Sequence, residues 1–448
     1  MHYFFMGVAG AGMSAIAQFM AGKGLKVSGS DRQFDGSKKP IIQNQLEEAG
    51  VRCFPQDTSG IHKALDRVVV SAAVEPEIPE YIKAVELNIP IIKRSELLAQ
   101  ICNRHRTVAV AGTSGKSTVA AMIYEIFEFA GLSPSLITGA GLEKLKDKGL
   151  IGNAVSGKSD VLIIEADESD GLLVNYKPEI GIILNVEKDH KSMNELYDIF
   201  GKFADNTRKE LIVNRKNLGS ARFSKHSVFD FMTEALQPEI FSQSLYGIGF
   251  KIRGQIFNMQ QIGAHTAENA AAAVAAALSF DIPLSASAKA LKNFKGIDRR
   301  HRIVGSVNNV TVIDDYAHNP AKLAASLKAC QAISSRVLLW FQPHGFGPTR
   351  FLRDEFVKEL NFTARPEDII VFSDIYYAGG SVSKDISSRD LINDLEALGS
   401  NAHYLPDRQK LPQFLKPGLK QGDIVLLCGA RDPSLRNFAD RVLSELQN

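Results

Sequence analysis

The sequence predicts an α/β protein of three domains built mainly on parallel sheets, and three observations lead there. At 448 residues the chain exceeds what one hydrophobic core serves. Short apolar or β-branched runs alternate with helical patterns along most of it, as they do when helices cover a parallel sheet. Polar, basic breaks at ICNRHR (101–106) and FKGIDRRHR (294–302) interrupt the alternation and set domains at 1–103, 104–301 and 302–448.

Taken in order, HYFFMGV reads as a strand followed by a helix from Ser14, and LKVSGSD, RVVVSAA and IPIIKRS read as further strands. TVAVAGT opens the second domain with a helix from Lys116, and SDVLIIEAD, EIGIILNV and ELIVN continue its sheet. VTVIDDY, RVLLWFQ, DIIVFSD and DIVLLCGA supply the third. The stretch from Ala267 to Ala277 is a strong helix former with small packing residues. Residues 215–262 carry the weakest pattern, and strand signals around SLYGIGFKIRGQIFNM suggest an antiparallel appendix to the middle sheet.

Composition narrows the function. Hydrophobic residues at 45% and charged residues at 23% are ordinary globular values, and a net charge of +2 gives no basis for nucleic-acid or acidic-membrane binding. Cys53, Cys102, Cys330 and Cys428 stand singly, without the spacing of a zinc site or redox dithiol, and read as reduced thiols of a cytoplasmic protein. Residues 3–22 are apolar enough to suggest a leader, yet they lack a basic start and lead straight into a strand, so they read as part of the fold. No apolar run is long enough to span a bilayer.

The motifs that carry chemistry sit at strand ends. After TVAVA come Gly112, Thr113, Ser114, Gly115, Lys116, Ser117 and Thr118, then a helix, the setting in which backbone N–H groups and a helix N-terminus cradle a polyphosphate. Lys116 would reach the outer phosphates, and the Ser117 hydroxyl would bind magnesium. The longer loop form needs glycine at Val110, so this is the shorter GTxGKS form. Hard oxygens for magnesium follow at Glu165, Asp167, Glu168 and Asp170 on one strand end, with Asp189 and His190 on the next. The first turn, Gly7, Gly10 and Gly12 ahead of a helix, suits close approach of a nucleotide diphosphate, and Asp31 offers an acid for a ribose hydroxyl. Its spacing is GxxGxG rather than GxGxxG. In the last third, Asp314, Asp315 and His318 close one strand, and His344 and Arg350 follow another, at the carboxyl ends where open parallel sheets collect ligands.

These motifs, with SGSD, VVVSAAV, GAHTAEN, FKGIDRRH, FQPHGFGPTR and LLCGAR, run in order from about residue 2 to 440 and resemble the Mur ligase family of peptidoglycan synthesis. The resemblance implies a Rossmann-like N-terminal domain that holds a UDP-sugar, a central P-loop ATPase domain, and a Rossmann-like C-terminal domain that presents an amino acid. It implies ATP and Mg2+ as cofactors, and UDP-N-acetylmuramate with L-alanine or another amino acid as partners. The implied activity is an ATP-dependent amide ligase that activates a carboxylate as an acyl phosphate. By position, the resemblance assigns Gly7, Gly10, Gly12, Ser30, Asp31 and Ser71 to the UDP pocket. It assigns Ser117, Glu165 and His190 to magnesium, Asn269 to adenine, Arg300 and Asp315 to ATP from the domain seam, and His318, His344 and Arg350 to the substrate side. Lys116, His190, Arg300, His344 and Arg350 are the residues it puts at the reaction itself.

The chain also departs from the family pattern. Ser114 stands where alanine-adding members usually carry His, Ser117 replaces Thr with its hydroxyl kept, and Thr266 replaces Asn in GAHTAEN. Gly345 and Pro348 stand where arginines usually lie, which removes two guanidinium forks from a carboxylate-binding segment and leaves Arg350. The expectation is a weak L-alanine site or a different amine or peptide, and if only grip is missing, restoring both arginines should tighten L-alanine. An NAD-dependent oxidoreductase would use the first turn and Asp31, but it leaves GTSGKST, EADESD and NVEKDH without a task. A non-catalytic UDP-sugar binder would have no need of an intact Lys116 and Ser117.

Overall fold

The computed structural model describes residues 1–36, 39–71, 74–168, 172–187, 192–224, 227–377, 379 and 383–447. Strands β1 (His2–Met6), β2 (Lys26–Asp31), β3 (Val51–Pro55), β4 (Arg67–Val70) and β5 (Ile91–Lys93) form a sheet in the order β3-β2-β1-β4-β5, all pairs parallel. HYFFM is apolar without alternation because β1 is central and covered on both faces, with Phe4, Phe5 and Met6 fully buried. The chain leaves β1 for β2 on one side and returns to β4 on the other. The crevice beyond the ends of β1 and β4 is therefore a topological switch point, where ligands of such sheets bind. Gly7 and Ser71 directly follow these two strands.

The second sheet contains β6 (Arg106–Ala111), β7 (Ser135–Ile137), β8 (Ala154–Val155), β9 (Val161–Glu165), β10 (Ile180–Ile183), β11 (Glu210–Asn214) and β12 (Ser227–Phe231). Their order is β12-β11-β10-β6-β9-β7-β8, parallel except at β7–β8. With β6 between β10 and β9, the loop after β6 lies between the ends of those two neighbours.

Strands β13 (Glu239–Ser244), β14 (Gly247–Ile252) and β15 (Gln255–Met259) make a separate three-stranded sheet. The links 245–246 and 253–254 are too short for parallel crossovers, so the strands run antiparallel. Arg253 and Gly254, at φ 49° and 77°, supply the left-handed pair that a tight hairpin turn requires. The appendix expected on the middle sheet is thus a sheet of its own.

In the third main sheet, β16 (Arg302–Val307), β17 (Val310–Asp315), β18 (Val337–Gln342), β19 (Ile369–Phe372), β20 (Ala402–Tyr404) and β21 (Ile424–Gly429) lie in the order β16-β17-β21-β18-β19-β20. The β16–β17 pair is antiparallel, and the others are parallel. Strand β21 enters between β17 and β18. Trp340 on β18 is buried, and its indole N–H donates to Ser373 Oγ at 2.8 Å, so the largest side chain of this core leaves no polar atom unmet.

The chain divides into two compact units. One comprises Met1–Glu239, Phe250–Met259 and Ala267–Ile297, and the other Ile240–Gly249, Gln260–Thr266 and Asp298–Asn448. The basic break at 294–302 spans a unit boundary, whereas the break at 101–106 separates two sheets inside the first unit. All four cysteines are free thiols. Burial pushes Cys102 up to about 11 and Cys53 up to about 12, so neither is a ready nucleophile. Among the described residues no helix is long and apolar enough to cross a membrane.

Candidate active site

The loop after β6 is shaped by two glycines. Gly112 and Gly115 take φ of +144° and +86°, and a Cβ at either would crowd Leu184 Cβ (3.0 Å) or Asn269 Oδ1 (2.9 Å). Gly115 is the N-cap of the helix Lys116–Phe129. The loop is held from the side by Asn185, beyond the end of β10. Its Oδ1 accepts from Thr113 Oγ1 (2.9 Å) and the Ser114 N–H (2.8 Å), and its Nδ2 donates to the Ser114 carbonyl (3.1 Å). Asn185 opens the motif NVEKDH, yet only the acid and histidine of that motif were marked from sequence. Asp189 and His190 lie outside the described residues, as does Asp170.

Lys116 arches back over the loop, donating to the Gly112 carbonyl (2.8 Å) and Glu168 Oε2 (2.7 Å), with Asp167 at 3.6 Å. Burial alone would lower its pKa, but Glu168, Asp167 and Glu165 outweigh that and hold it above the ordinary lysine value. The ammonium therefore stays charged. Ser117 Oγ donates to Glu165 Oε2 at 2.8 Å, and the same oxygen accepts from Thr138 Oγ1 (3.1 Å) and the Gly139 N–H (2.8 Å). A hydroxyl and a carboxylate side by side are the hard donors Mg2+ takes when phosphate and water fill its other positions. The donor pair fits a magnesium that a bound nucleotide also holds. Glu168, expected among the metal oxygens, serves Lys116 instead.

The first turn is built differently from the sequence expectation. Gly7 takes φ +74°, and its N–H and that of Val8 donate to the Ser30 carbonyl at 2.8 and 2.9 Å. Asp31, 9% exposed, accepts from the Ala9 N–H (3.0 Å) and the Gln33 N–H (3.1 Å). The Ser30 hydroxyl is fully buried and donates to Glu80 Oε2 at 2.7 Å. Ser30 and Asp31 therefore brace the turn from within instead of lining the space in front of it. That space is a cavity of about 340 Å³ bounded by Gly7, Gly10, Gly12, Ser71 and Arg94 at one end and by Thr138, Glu165 and Asp167 at the other. Among the described residues Arg94 is its one lining cation, and a Cβ at Gly12 would come within 2.9 Å of the Arg94 Nη1. No motif pointed to Arg94, because it meets the turn only through tertiary structure.

The second unit gathers the remaining candidates at the ends of β17 and β18. Asp315, 4% exposed, accepts from the His301 N–H (2.8 Å), His301 Nδ1 (3.1 Å), the Ala317 N–H (2.7 Å) and Ser326 Oγ (3.1 Å). Burial would raise its pKa, but His301, Arg300 and the backbone N–H groups hold it below the usual carboxylate range. Expected to touch ATP, Asp315 has its oxygens committed to fixing His301 and the loop after β17. Arg300 lies over the Tyr316 ring at 5.3 Å. His318 Nδ1 donates to the Tyr316 carbonyl (2.8 Å), which leaves Nε2 as an acceptor, and burial lowers its pKa to about 3. Its ring stands 5.5 Å from that of His344. Arg350, expected to face the amino acid, is exposed and ion-pairs with Asp385 while donating to the Ser383 carbonyl at 3.2 Å.

Gly345 takes φ +72° and ψ 127° as the N-cap of the helix Phe346–Phe351. Only glycine is at ease there, so the expectation that Gly345→Arg with Pro348→Arg restores a carboxylate grip does not survive. Gly345→Arg is expected to cost about 1–3 kcal/mol in backbone strain, seen as a lowered Tm with no gain in L-alanine affinity. A double variant as stable as the parent that binds L-alanine more tightly would contradict this.

A strand, glycine loop and helix with an anchored lysine and a hydroxyl–carboxylate pair, facing a second glycine-turn cavity, define a nucleotide-dependent enzyme with two anion-binding turns in one unit. Residues 2–106 match the family model for the Mur ligase family catalytic domain, 110–277 the Mur ligase middle domain, and 299–431 the Mur ligase glutamate ligase domain. The chain belongs to the Mur ligase family. It is 33% identical to the UDP-N-acetylmuramate–L-alanine ligase of Syntrophomonas wolfei, over 95% of this chain and 94% of that protein. It is 34% identical to the enzyme of the same name from Streptomyces griseus, over 99% and 96%. In fold it is similar to the UDP-N-acetylmuramate-alanine ligase of Thermotoga maritima, with a TM-score of 0.79 at 24% identity over 100% and 99% of the two chains. It also resembles a murein peptide ligase of Psychrobacter arcticus, with a TM-score of 0.67 at 20% identity over 100% and 99%.

Proposed function

We propose that this chain is a cytoplasmic, ATP-dependent ligase of peptidoglycan-precursor synthesis that joins the carboxylate of UDP-N-acetylmuramate to L-alanine. The observation that carries the proposal is the cavity running from the glycine turn to Glu165, beside an acidic strand end to which both Lys116 and Ser117 are bonded. One nucleotide belongs at each glycine loop. Gly7, Gly10, Gly12, Ser71 and Arg94 would receive the UDP-sugar, residues 112–118 the triphosphate of ATP, and Asn269, packed on Gly115, its adenine side. The division into 1–103, 104–301 and 302–448 is kept as the assignment of these tasks to domains.

In this proposal the sugar carboxylate attacks the γ-phosphorus of ATP, the bond to ADP breaks, and an acyl phosphate forms. The amine nitrogen then attacks the acyl carbon, phosphate departs with the C–O electron pair, and the nitrogen loses a proton to leave the amide. Lys116 stabilises charge on the transferring phosphoryl group, and the loop N–H groups fix its direction. Ser117 and Glu165 would hold Mg2+, which when bound neutralises phosphate charge. Binding orders three substrates so that two bimolecular steps become nearly unimolecular.

An amine other than L-alanine is a second reading, favoured by the commitment of Arg350 to Asp385. Both are tested by phosphate release from UDP-N-acetylmuramate and ATP across a panel of amino acids and short peptides. Release with L-alanine supports the first and release only with another amine the second, while no release with any amine overturns both. Asp31, already holding two backbone N–H groups, does not offer the ribose contact an NAD enzyme would need. Arg94→Ala is expected to raise the KM for UDP-N-acetylmuramate about tenfold or more and leave that for ATP unchanged, as for loss of one charged contact. Equal effects on both constants would remove Arg94 from the UDP-sugar end.

A further inference from the structure

Beyond the carboxyl ends of β18 and β19, two loops stay zipped together. The Gly345 N–H donates to the Tyr376 carbonyl (2.9 Å), the Tyr376 N–H donates to the Pro343 carbonyl (2.8 Å), and His344 bridges to Tyr376. This brings the Phe346 and Tyr377 rings edge to face at 5.4 Å. Lys384 lies over both rings, its Nζ 5.1 Å from the centroid of Tyr377 and 6.0 Å from that of Phe346. Tyr377 Oη is buried and has no hydrogen-bond partner among the described residues. A phenol hydroxyl kept from water in this way is satisfied only when something else supplies an acceptor. Arg350 brackets Lys384 on both sides, bonding the Ser383 carbonyl and the Asp385 carboxylate.

We propose that Lys384 and Tyr377 receive the carboxylate of the incoming amine, Lys384 as its cation and Tyr377 Oη as its hydrogen-bond donor, while Arg350 is a positioning residue that holds the 383–385 segment in place. The proposal rests on the ligase reading above. Its substrate class is an α-amino acid or short peptide with a free carboxylate, whose apolar part packs on Phe346. An ammonium over aromatic faces keeps N–H groups directed outward, so the rings hold Lys384 without consuming its charge. The same arrangement supplies a cation where Gly345 and Pro348 cannot.

The test is steady-state phosphate release by the full chain with UDP-N-acetylmuramate and ATP saturating. The varied substrate is L-alanine, or the panel amino acid released fastest, together with its carboxamide. Lys384→Met is expected to raise the amino-acid KM about tenfold or more, with the constants for ATP and UDP-N-acetylmuramate unchanged, and Lys384→Arg should restore most of the loss. Tyr377→Phe should raise the same constant by less. Because the carboxamide lacks the charge, Lys384→Met should leave its constant unaltered. Arg350→Ala and Asp385→Asn should give matching partial losses, since both release the same segment. An unchanged amino-acid KM in Lys384→Met, an equal rise for the carboxamide, or a large loss in Arg350→Ala with none in Asp385→Asn each overturns the assignment while leaving the ligase reading in place. A parent enzyme that releases no phosphate with any amine overturns both.

Discussion

Lys116→Ala is expected to lower kcat by about 10³-fold while leaving the affinity for UDP-N-acetylmuramate within about twofold, as for loss of a preorganised charge that acts on the transferring phosphoryl group. The separation follows from the architecture, because Lys116 sits on the loop after β6 and the UDP-sugar is assigned to the turn after β1. The variant also strands Glu168, whose side chain is 8% exposed and whose carboxyl burial already pushes toward the neutral form. Glu168 then takes up a proton, so folding survives at neutral pH while the phosphate loop loses its internal clamp. Glu168→Gln separates the two effects, since it loosens Lys116 without removing its charge and should cost far less than Lys116→Ala. Calorimetry with UDP-N-acetylmuramate and phosphate release measure the two halves independently. Equal loss of sugar affinity and turnover would sink the two-site assignment.

Glu165 carries the second large effect. Its Oε2 accepts from Ser117, Thr138 and Gly139 at once, so Glu165→Ala removes both the oxygen proposed for Mg2+ and the anchor of the 138–139 segment. Glu165→Gln keeps an acceptor oxygen but loses the charge that a divalent cation requires. The Mg2+ concentration for half-maximal rate is expected to rise about tenfold or more in Glu165→Gln, with kcat reduced about 10²-fold at saturation, and Ser117→Ala should shift it in the same direction. Full activity of Glu165→Ala at ordinary Mg2+ would show that this carboxylate only organises the loop.

What could be read in advance depended on how far apart in the chain each interaction's partners lie. The parallel sheets were legible because a buried strand and its covering helix each leave a local pattern, as in HYFFM and TVAVA. The phosphate loop was legible because backbone N–H groups, lysine and hydroxyl lie within seven residues. Asn185 was not, since its task is defined by Thr113 and Ser114 across 71 to 72 residues. Arg94 was missed for the same reason. Ser30 and Asp31 look like ligand groups at a strand end, and only tertiary structure shows their oxygens turned to Glu80 and the backbone of the turn. Arg350 kept its place in the motif while Asp385, a residue of no motif, took its guanidinium. Strands β7, β8 and β20 are too short to carry a period, and β3 alternates too weakly to stand out.

The position of β21 bears on how the protein comes into being during synthesis. Residues 424–429 pair with β17 on one side and β18 on the other, so two strands made more than eighty residues earlier wait with open edges until this segment emerges from the ribosome. Until then the edges of β17 and β18 that will face β21 are unpaired, and their N–H and C=O groups are templates for any passing strand. The second main sheet has a similar insertion, β9 between the earlier β6 and β7, but there the wait is shorter. Any nascent chain arrested between residues 342 and 424 therefore presents a sheet with its middle missing. The third main sheet is thus the last of the three to become complete.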